Sequence, residues 1–316
     1  MPTLSTPYGV LSVSGPVSRR ADGTLCSCTP AAGHILDTPL GPLAPEYDID
    51  DIRRRDVQPL CFHANGRLRT VPLQHAVEVD TPAGPMSAEL VTFHPNGALS
   101  RVFPLNGRLS AYWSQEDEAG LAQAMTVRTP LGPVTAKCIA VAFYDTGALR
   151  SLTLWPEEVV EVVTPLGPLP VRHGLSFFPD GALRGLEPGR MVPVPTLVGE
   201  VAAWDPDAVG VSGEMASLRF SPAGEVRRVV SVHTCLEVCD QRGGAMCFAP
   251  DVRESLCGDG DLEPVPMSLE FLAGGVRVRR GVSGPAAVIP WEGRCFSTRP
   301  HIPAMPVQLE RLGCRV

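Results

Sequence analysis

A short phrase returns along this chain: an aromatic, three residues rich in Pro, Asn and Asp, a glycine, a small or polar residue and an aliphatic. The copies run from Phe62 to Leu68, Phe93 to Leu99, Phe143 to Leu149, Phe177 to Leu183 and Phe220 to Val226. A degenerate copy spans Phe271 to Gly275, and one from Ala21 to Leu25 lacks the aromatic. Pro-Asn-Gly and Pro-Asp-Gly suit a hairpin loop in which a type I turn is followed by glycine in the left-handed region. Each copy therefore marks a hairpin tip, and a chain with so many tips is restricted to antiparallel sheet.

A second phrase, Thr-Pro-x-Gly, stands at Thr6, Thr38, Thr81, Thr129 and Thr164, with an echo at Thr196 to Gly199. Proline pre-sets the backbone angle at the second turn position, so this phrase makes a turn at the opposite end of the strand. The two phrases alternate. Gly23, Gly97, Gly147 and Gly181 follow Thr6, Thr81, Thr129 and Thr164 by 16 to 18 residues, while Gly66 and Gly224 follow Thr38 and Thr196 by 28. The longer gaps hold insertions. The flanking runs, such as Met86 to Phe93 and Val171 to Phe177, are rich in β-branched and aromatic residues and have strand length.

One unit is thus a strand, a Thr-Pro-x-Gly turn, a strand, a glycine tip and a strand. The expected fold is all-β, a repeated antiparallel hairpin meander in an open or spiralling sheet, with less than about a sixth of residues helical. A β-propeller is the alternative, because the mean step between tips is close to the ~40 to 45 residues of a four-stranded blade. The one helix expected runs from Ser114 to about Met125, where Ser114 and Asp117 have capping-box spacing. Glu46 to Asp56 is expected to be a solvated loop or short helical turn, with Asp48, Asp50 and Asp51 beside Arg53, Arg54 and Arg55. From His233 the pattern weakens, which divides the chain into a repeat domain, 1–232, and a Cys- and Pro-containing region, 233–316, that caps the repeats or stands apart.

On these residues, roughly 6 to 230, the chain resembles the MORN-type and related bacterial hairpin-repeat proteins, whose units carry an aromatic, a short polar turn, glycine and an aliphatic. The Gly-x-Gly and His-Gly elements of strict MORN units are missing, and Thr-Pro-x-Gly is no part of them. The segment from Val102 to Gly107, leading to Tyr112 and Trp113, also resembles a group of uncharacterised repeat proteins of anaerobic bacteria. The resemblance implies a scaffold or recognition role and carries over no functional residue.

The chain has no Gly-x-Ser-x-Gly elbow, no His-Glu-x-x-His, no phosphate-binding loop and no dinucleotide fingerprint. A net charge of −7, from 27 Lys+Arg against 34 Asp+Glu, argues against general nucleic-acid binding. No run of about 18 apolar residues offers a membrane span. The start lacks a basic segment followed by an apolar one, so a cytoplasmic location and mostly reduced thiols are expected for the ten cysteines.

Cys235, Cys239, Cys247 and Cys257 fall close together and are the candidate metal ligands, zinc being the cofactor they would take. Their spacing departs from the two-residue gaps of zinc knuckles, and Cys26, Cys28, Cys61 and Cys138 read as structural thiols. His63 and His94, at equivalent places in successive units, read as turn-flanking and solvent-facing. Asp259, Asp261 and Glu263 read as an acidic turn, because the further ligands of a calcium loop are missing. Trp113, Trp155, Trp204 and Trp291 read as core. The resulting expectation is a non-catalytic cytoplasmic scaffold that binds another macromolecule, expected to be a protein. The alternative is a metal- or redox-linked protein using the C-terminal cysteines.

Overall fold

Both turn phrases fold as their chemistry requires. At the Pro95-Asn96-Gly97 tip the Gly97 N–H donates to the His94 carbonyl at 2.8 Å, and Gly97 has φ +93°. In the Thr-Pro-x-Gly turns the threonine side chain explains its own recurrence. The Thr81 hydroxyl donates to the Gly84 carbonyl (2.7 Å) and accepts from the Ala83 N–H (3.1 Å), and the same pair of bonds recurs from Thr6 through Thr196.

The computed structural model describes residues 2–49, 52–209, 216–255, 262–281 and 284–302. The protein is 60% strand and 2% helix, and its main sheet is a single antiparallel meander of 18 strands that does not close into a barrel. One continuous open sheet excludes the propeller, in which separate short sheets would surround an axis. Seven tip hairpins lie side by side along the sheet. They are Gly9–Arg19 with Leu25–Pro30, Leu60–Phe62 with Leu68–Thr81, Gly84–Phe93 with Leu99–Phe103, Gly132–Phe143 with Leu149–Leu154, Gly167–Phe177 with Leu183–Pro188, Leu218–Phe220 with Val226–Ser231, and Met267–Leu272 with Gly275–Arg280. Ala286–Pro290 adds the far edge strand.

Register sets which side chains share a face. Val71, Val91, Val102, Val141, Leu152, Leu175, Leu186, Leu218, Val229, Leu269 and Val278 are successive cross-strand partners, and all are buried. They form the floor of the core. Against it pack the ribbons that carry Thr-Pro-x-Gly, through Val79, Met86, Val127, Val134, Val162, Val194 and Val201. The long strands Leu68–Thr81, Gly132–Phe143 and Gly167–Phe177 serve both the tip sheet and a ribbon, and each carries a register shift. Pro7, Pro82, Pro130 and Pro165 lie within 4 Å of where a Cβ would stand on Gly66, Gly147, Gly181 and Gly224. Each of these turns therefore rests on the tip of the following unit, not of its own.

His63 and His94 are half-buried ties between hairpins, contrary to the solvent-facing expectation. The ring Nε2–H of His63 donates to the Phe93 carbonyl (2.9 Å) and that of His94 to the Phe143 carbonyl (3.0 Å). Tyr144, at the same position, donates its hydroxyl proton to the Phe177 carbonyl (2.8 Å). His and Tyr both supply a ring-borne donor for this tie, whereas Phe178 and Ser221 hold the same position in later units without one.

The helix spans Gln115–Leu121 behind Ser114, with both capping-box bonds formed. The Glu46 to Asp56 insertion departs from expectation. Arg53 and Arg54 are buried instead of solvated, and the Arg53 guanidinium grips Glu89 and Glu118. Asp50 and Asp51 lie outside the described residues. The four tryptophans are half-buried, none of them in the core; Trp291 packs at its margin, edge-on to Phe296 at 5.1 Å.

Replacing Gly97 or Gly181 by valine is expected to cost about 1–3 kcal/mol, since a β-branched residue is strained at positive φ. Gly120 lies in the helix with open space around it, so Gly120→Ala should gain up to about 1 kcal/mol. Urea denaturation of the three variants checks this; equal, negligible losses at both tips would contradict the turn assignment.

Candidate functional site

The residues alternating with the core floor form a second row on the opposite face of the sheet. In register order it reads Thr70, Thr92, Arg101, Ala142, Ser151, Ser176, Gly185, Arg219, Arg228, Glu270 and Arg277. The row is polar or small throughout and becomes charged toward the C-terminal hairpins. Arg219 stands directly opposite Arg228, Arg228 opposite Glu270, and Glu270 opposite Arg277, whose Nη1 donates to Glu270 Oε2 at 2.5 Å. One step along the strands, Ser268 opposes Arg279. Arg219, Arg228, Ser268, Glu270, Arg277 and Arg279, with Gly281, line a groove of 170 Å3.

A second charged group adjoins it on the same face. Glu187 pairs in register with Arg172, is 1% exposed, and takes a hydrogen bond on Oε1 from the Ser217 N–H (2.8 Å). Its Oε2 has no partner among the described residues, nor has the Ser217 hydroxyl. Burial pushes the Glu187 carboxyl up to about 7, against which the Ser217 N–H bond and Arg172 act only in part. Asp205 is also raised by burial, despite the hydrogen bond from the Asp207 N–H. The Arg172 guanidinium lies 4.1 Å from the centre of the Trp204 ring and donates to the Asp205 carbonyl. Arg228 senses both carboxylates, but burial first and Arg219 next hold its pKa down.

The buried carboxyl links stability to pH. Its folded pKa lies above the unfolded value of 4.5, so the folded state holds a proton that the unfolded state has released. Stability from this group is complete below about pH 4.5 and is lost as pH rises through about 7, by on the order of 3 kcal/mol. Unfolding free energies of Glu187→Gln should be flatter than wild type across that window, and a parallel pair of curves would refute the buried proton.

The cysteines expected to bind metal occupy a separate three-stranded sheet of Thr234–Asp240, Ala245–Phe248 and Arg294–Pro300. Cys235 and Cys239 alternate onto one face, Cys247 opposes the intervening Glu237, and Cys295, not singled out in the sequence, opposes Cys239. Cys257, Asp259 and Asp261 lie outside the described residues. Cys235 Sγ is 3.4 Å from His301 Nδ1. Burial raises the thiol and lowers the imidazole, so both are neutral near pH 7 and form no activated thiolate pair. Among the described residues no group of three or more His, Cys, Asp or Glu side chains is placed to hold a metal ion. Cys28 and Cys138 are buried, with burial pushing their thiols up to about 11 and about 12, and Cys61 is half-buried.

A cavity of 660 Å3 lies between the ribbons and the helix, with Met86, Leu121 and Met125 beside Glu78, Thr126 and Arg128. Among the described residues no helix is long and apolar enough to cross a membrane. Comparison with protein-family models, with curated proteins and with solved structures finds no match to this chain.

Proposed function

We propose that this chain is a non-catalytic cytoplasmic binding module that engages a protein partner along the outer face of its open sheet. The observation that supports the reading is the register row from Thr70 to Arg277, which keeps polar or small residues at one position across eleven strands. The face is buried in its middle, at Ala142, Ser176 and Gly185, and more accessible toward both ends. It also concentrates four arginines at one end of an acidic chain. Extended repeat surfaces of this kind offer area for recognition and need no catalytic group.

The test compares proteins retained from a lysate by the wild-type chain and by Thr92→Arg/Ser151→Arg, which crowds the middle of the row and leaves the core untouched. A partner held by the first and lost by the second is the expected result. Identical sets, or turnover of a small molecule with no partner retained, would sink the proposal. A second reading, redox chemistry at the thiols, is favoured by four cysteines on one face of the small sheet. Thiol titration with elemental analysis of chelator-free protein separates it from the first.

A further inference from the structure

We infer that the groove between the Leu218–Phe220, Val226–Ser231, Met267–Leu272 and Gly275–Arg280 strands is a binding site for a phosphate-type oxyanion, held by Arg219, Arg228, Arg277 and Arg279. The inference rests on the reading of the outer face as the binding surface and names the chemistry it recognises.

Four guanidinium groups from three strands, Arg277 and Arg279 sharing one, line one concavity, and Glu270 is the one carboxylate among its described lining residues. Arg219 and Arg228 are direct cross-strand partners, an arrangement in which like charges repel. Burial first and Arg219 next disfavour the Arg228 charge, with Glu270, Glu187 and Asp205 acting against them. A dianion bound between the two arginines adds an attraction to each. Arginine is suited to this task, because its planar fork meets two oxygens of a phosphoryl group at once. Ser268, opposite Arg279, adds a hydroxyl at the groove.

Size narrows the ligand further. The groove is small, lined by seven residues, which suits one phosphate group better than a strand of polyphosphate. The net charge of −7 opposes a polyanion at longer range, so the site favours a single group over a nucleic-acid backbone. The ligand is a free phosphate or a phosphomonoester on a peptide side chain, which share the same recognised oxygens.

Calorimetric titration of the full chain with inorganic phosphate, a phosphoserine peptide, its unphosphorylated twin and a single-stranded oligonucleotide tests the assignment. Saturable binding of phosphate or phosphopeptide is expected, weakened at least tenfold in Arg228→Met and in Arg277→Met and weakened by added salt. Tighter binding of the phosphopeptide than of phosphate identifies a phosphorylated partner; equal binding identifies the free ion. No binding up to ~10 mM, beyond the weak end of specific affinities, overturns the proposal. So does unchanged affinity in both variants, or tightest binding by the oligonucleotide. Each variant's urea midpoint is measured alongside, and Ser268→Ala serves as a milder second probe if an arginine variant fails to fold. No phosphate binding by the wild-type chain, with protein capture retained, would defeat this inference alone; the reverse would defeat the reading of the outer face alone.

Discussion

Arg53→Met is expected to lower the unfolding free energy by about 3–5 kcal/mol, because it leaves two carboxylates in the interior without their main cation. The guanidinium is bidentate to both. Its Nε and Nη2 donate to Glu118 at 2.6 Å each, and its Nη1 and Nη2 donate to Glu89 at 2.9 and 2.8 Å. Arg54 spans Glu89 and Glu46 at 3.0 and 3.3 Å, and the Trp113 ring N–H and the Gly107 N–H complete Glu118. Burial alone would raise the Glu118 carboxyl, but the bonds from Arg53 and Trp113 outweigh it and hold it below the ordinary range. The charge on Glu118 therefore supports folding above the usual carboxylate pKa and ceases to do so as pH falls below it. Urea unfolding at neutral pH measures the effect, and a loss under about 1 kcal/mol would show that water already reaches the cluster. Glu118→Gln tests the same network without emptying the space, and should release the helix that carries it before the sheet is affected.

The second large effect is expected at Gly174. It lies in the Gly167–Phe177 strand at a register shift, opposite Thr153, with φ +134°. A Cβ there would overlap the Leu152 carbonyl oxygen and approach the Thr153 Cα at 3.1 Å, both backbone atoms that no rotamer change can move. Strain and overpacking together set the expected cost of Gly174→Ala at about 2–5 kcal/mol. The neighbouring His173, with φ +58°, is the one non-glycine residue at positive φ among those described, so the pair forms a bulge that bends the strand from sheet to ribbon. Denaturation of Gly174→Ala beside Gly120→Ala checks the claim; a tolerated alanine at 174 would mean that the bulge re-forms elsewhere.

The legible part of this structure was the part decided locally. A tip glycine or a Thr-Pro-x-Gly turn is settled by four residues and their backbone angles, so both were readable and so was the meander they imply. The Arg53 cluster was not, since its partners lie 36 and 65 residues away and look like ordinary surface charges until the sheet places them. His63 and His94 failed for a related reason: their acceptors are carbonyls of the next hairpin, and carbonyls leave no trace in a sequence. The arginine groove needed register. Arg219 and Arg228 are nine residues apart on paper, and only the one-residue shift at the Phe220 tip makes them face each other. Cys295 joined the thiol face through the same kind of pairing, across a strand far along the chain from Cys239.

The prolines resting on the following tips give the molecule a direction. Pro7 waits for Gly66, Pro82 for Gly147, Pro130 for Gly181 and Pro165 for Gly224, always an earlier turn for a later tip. A chain emerging from its N-terminus therefore presents the tips at Gly66, Gly147, Gly181 and Gly224 with a supporting turn already made, while a chain growing the other way would form each of these tips before its support. Synthesis at a few residues per second is slow beside hairpin formation in microseconds, so the units can seat in sequence, each sealing the last. The same shingling predicts opposite fates for the two ends. Trimming units from the C-terminus uncovers one roof and leaves the rest sheltered, whereas trimming from the N-terminus strips the cover from a tip that nothing later can replace.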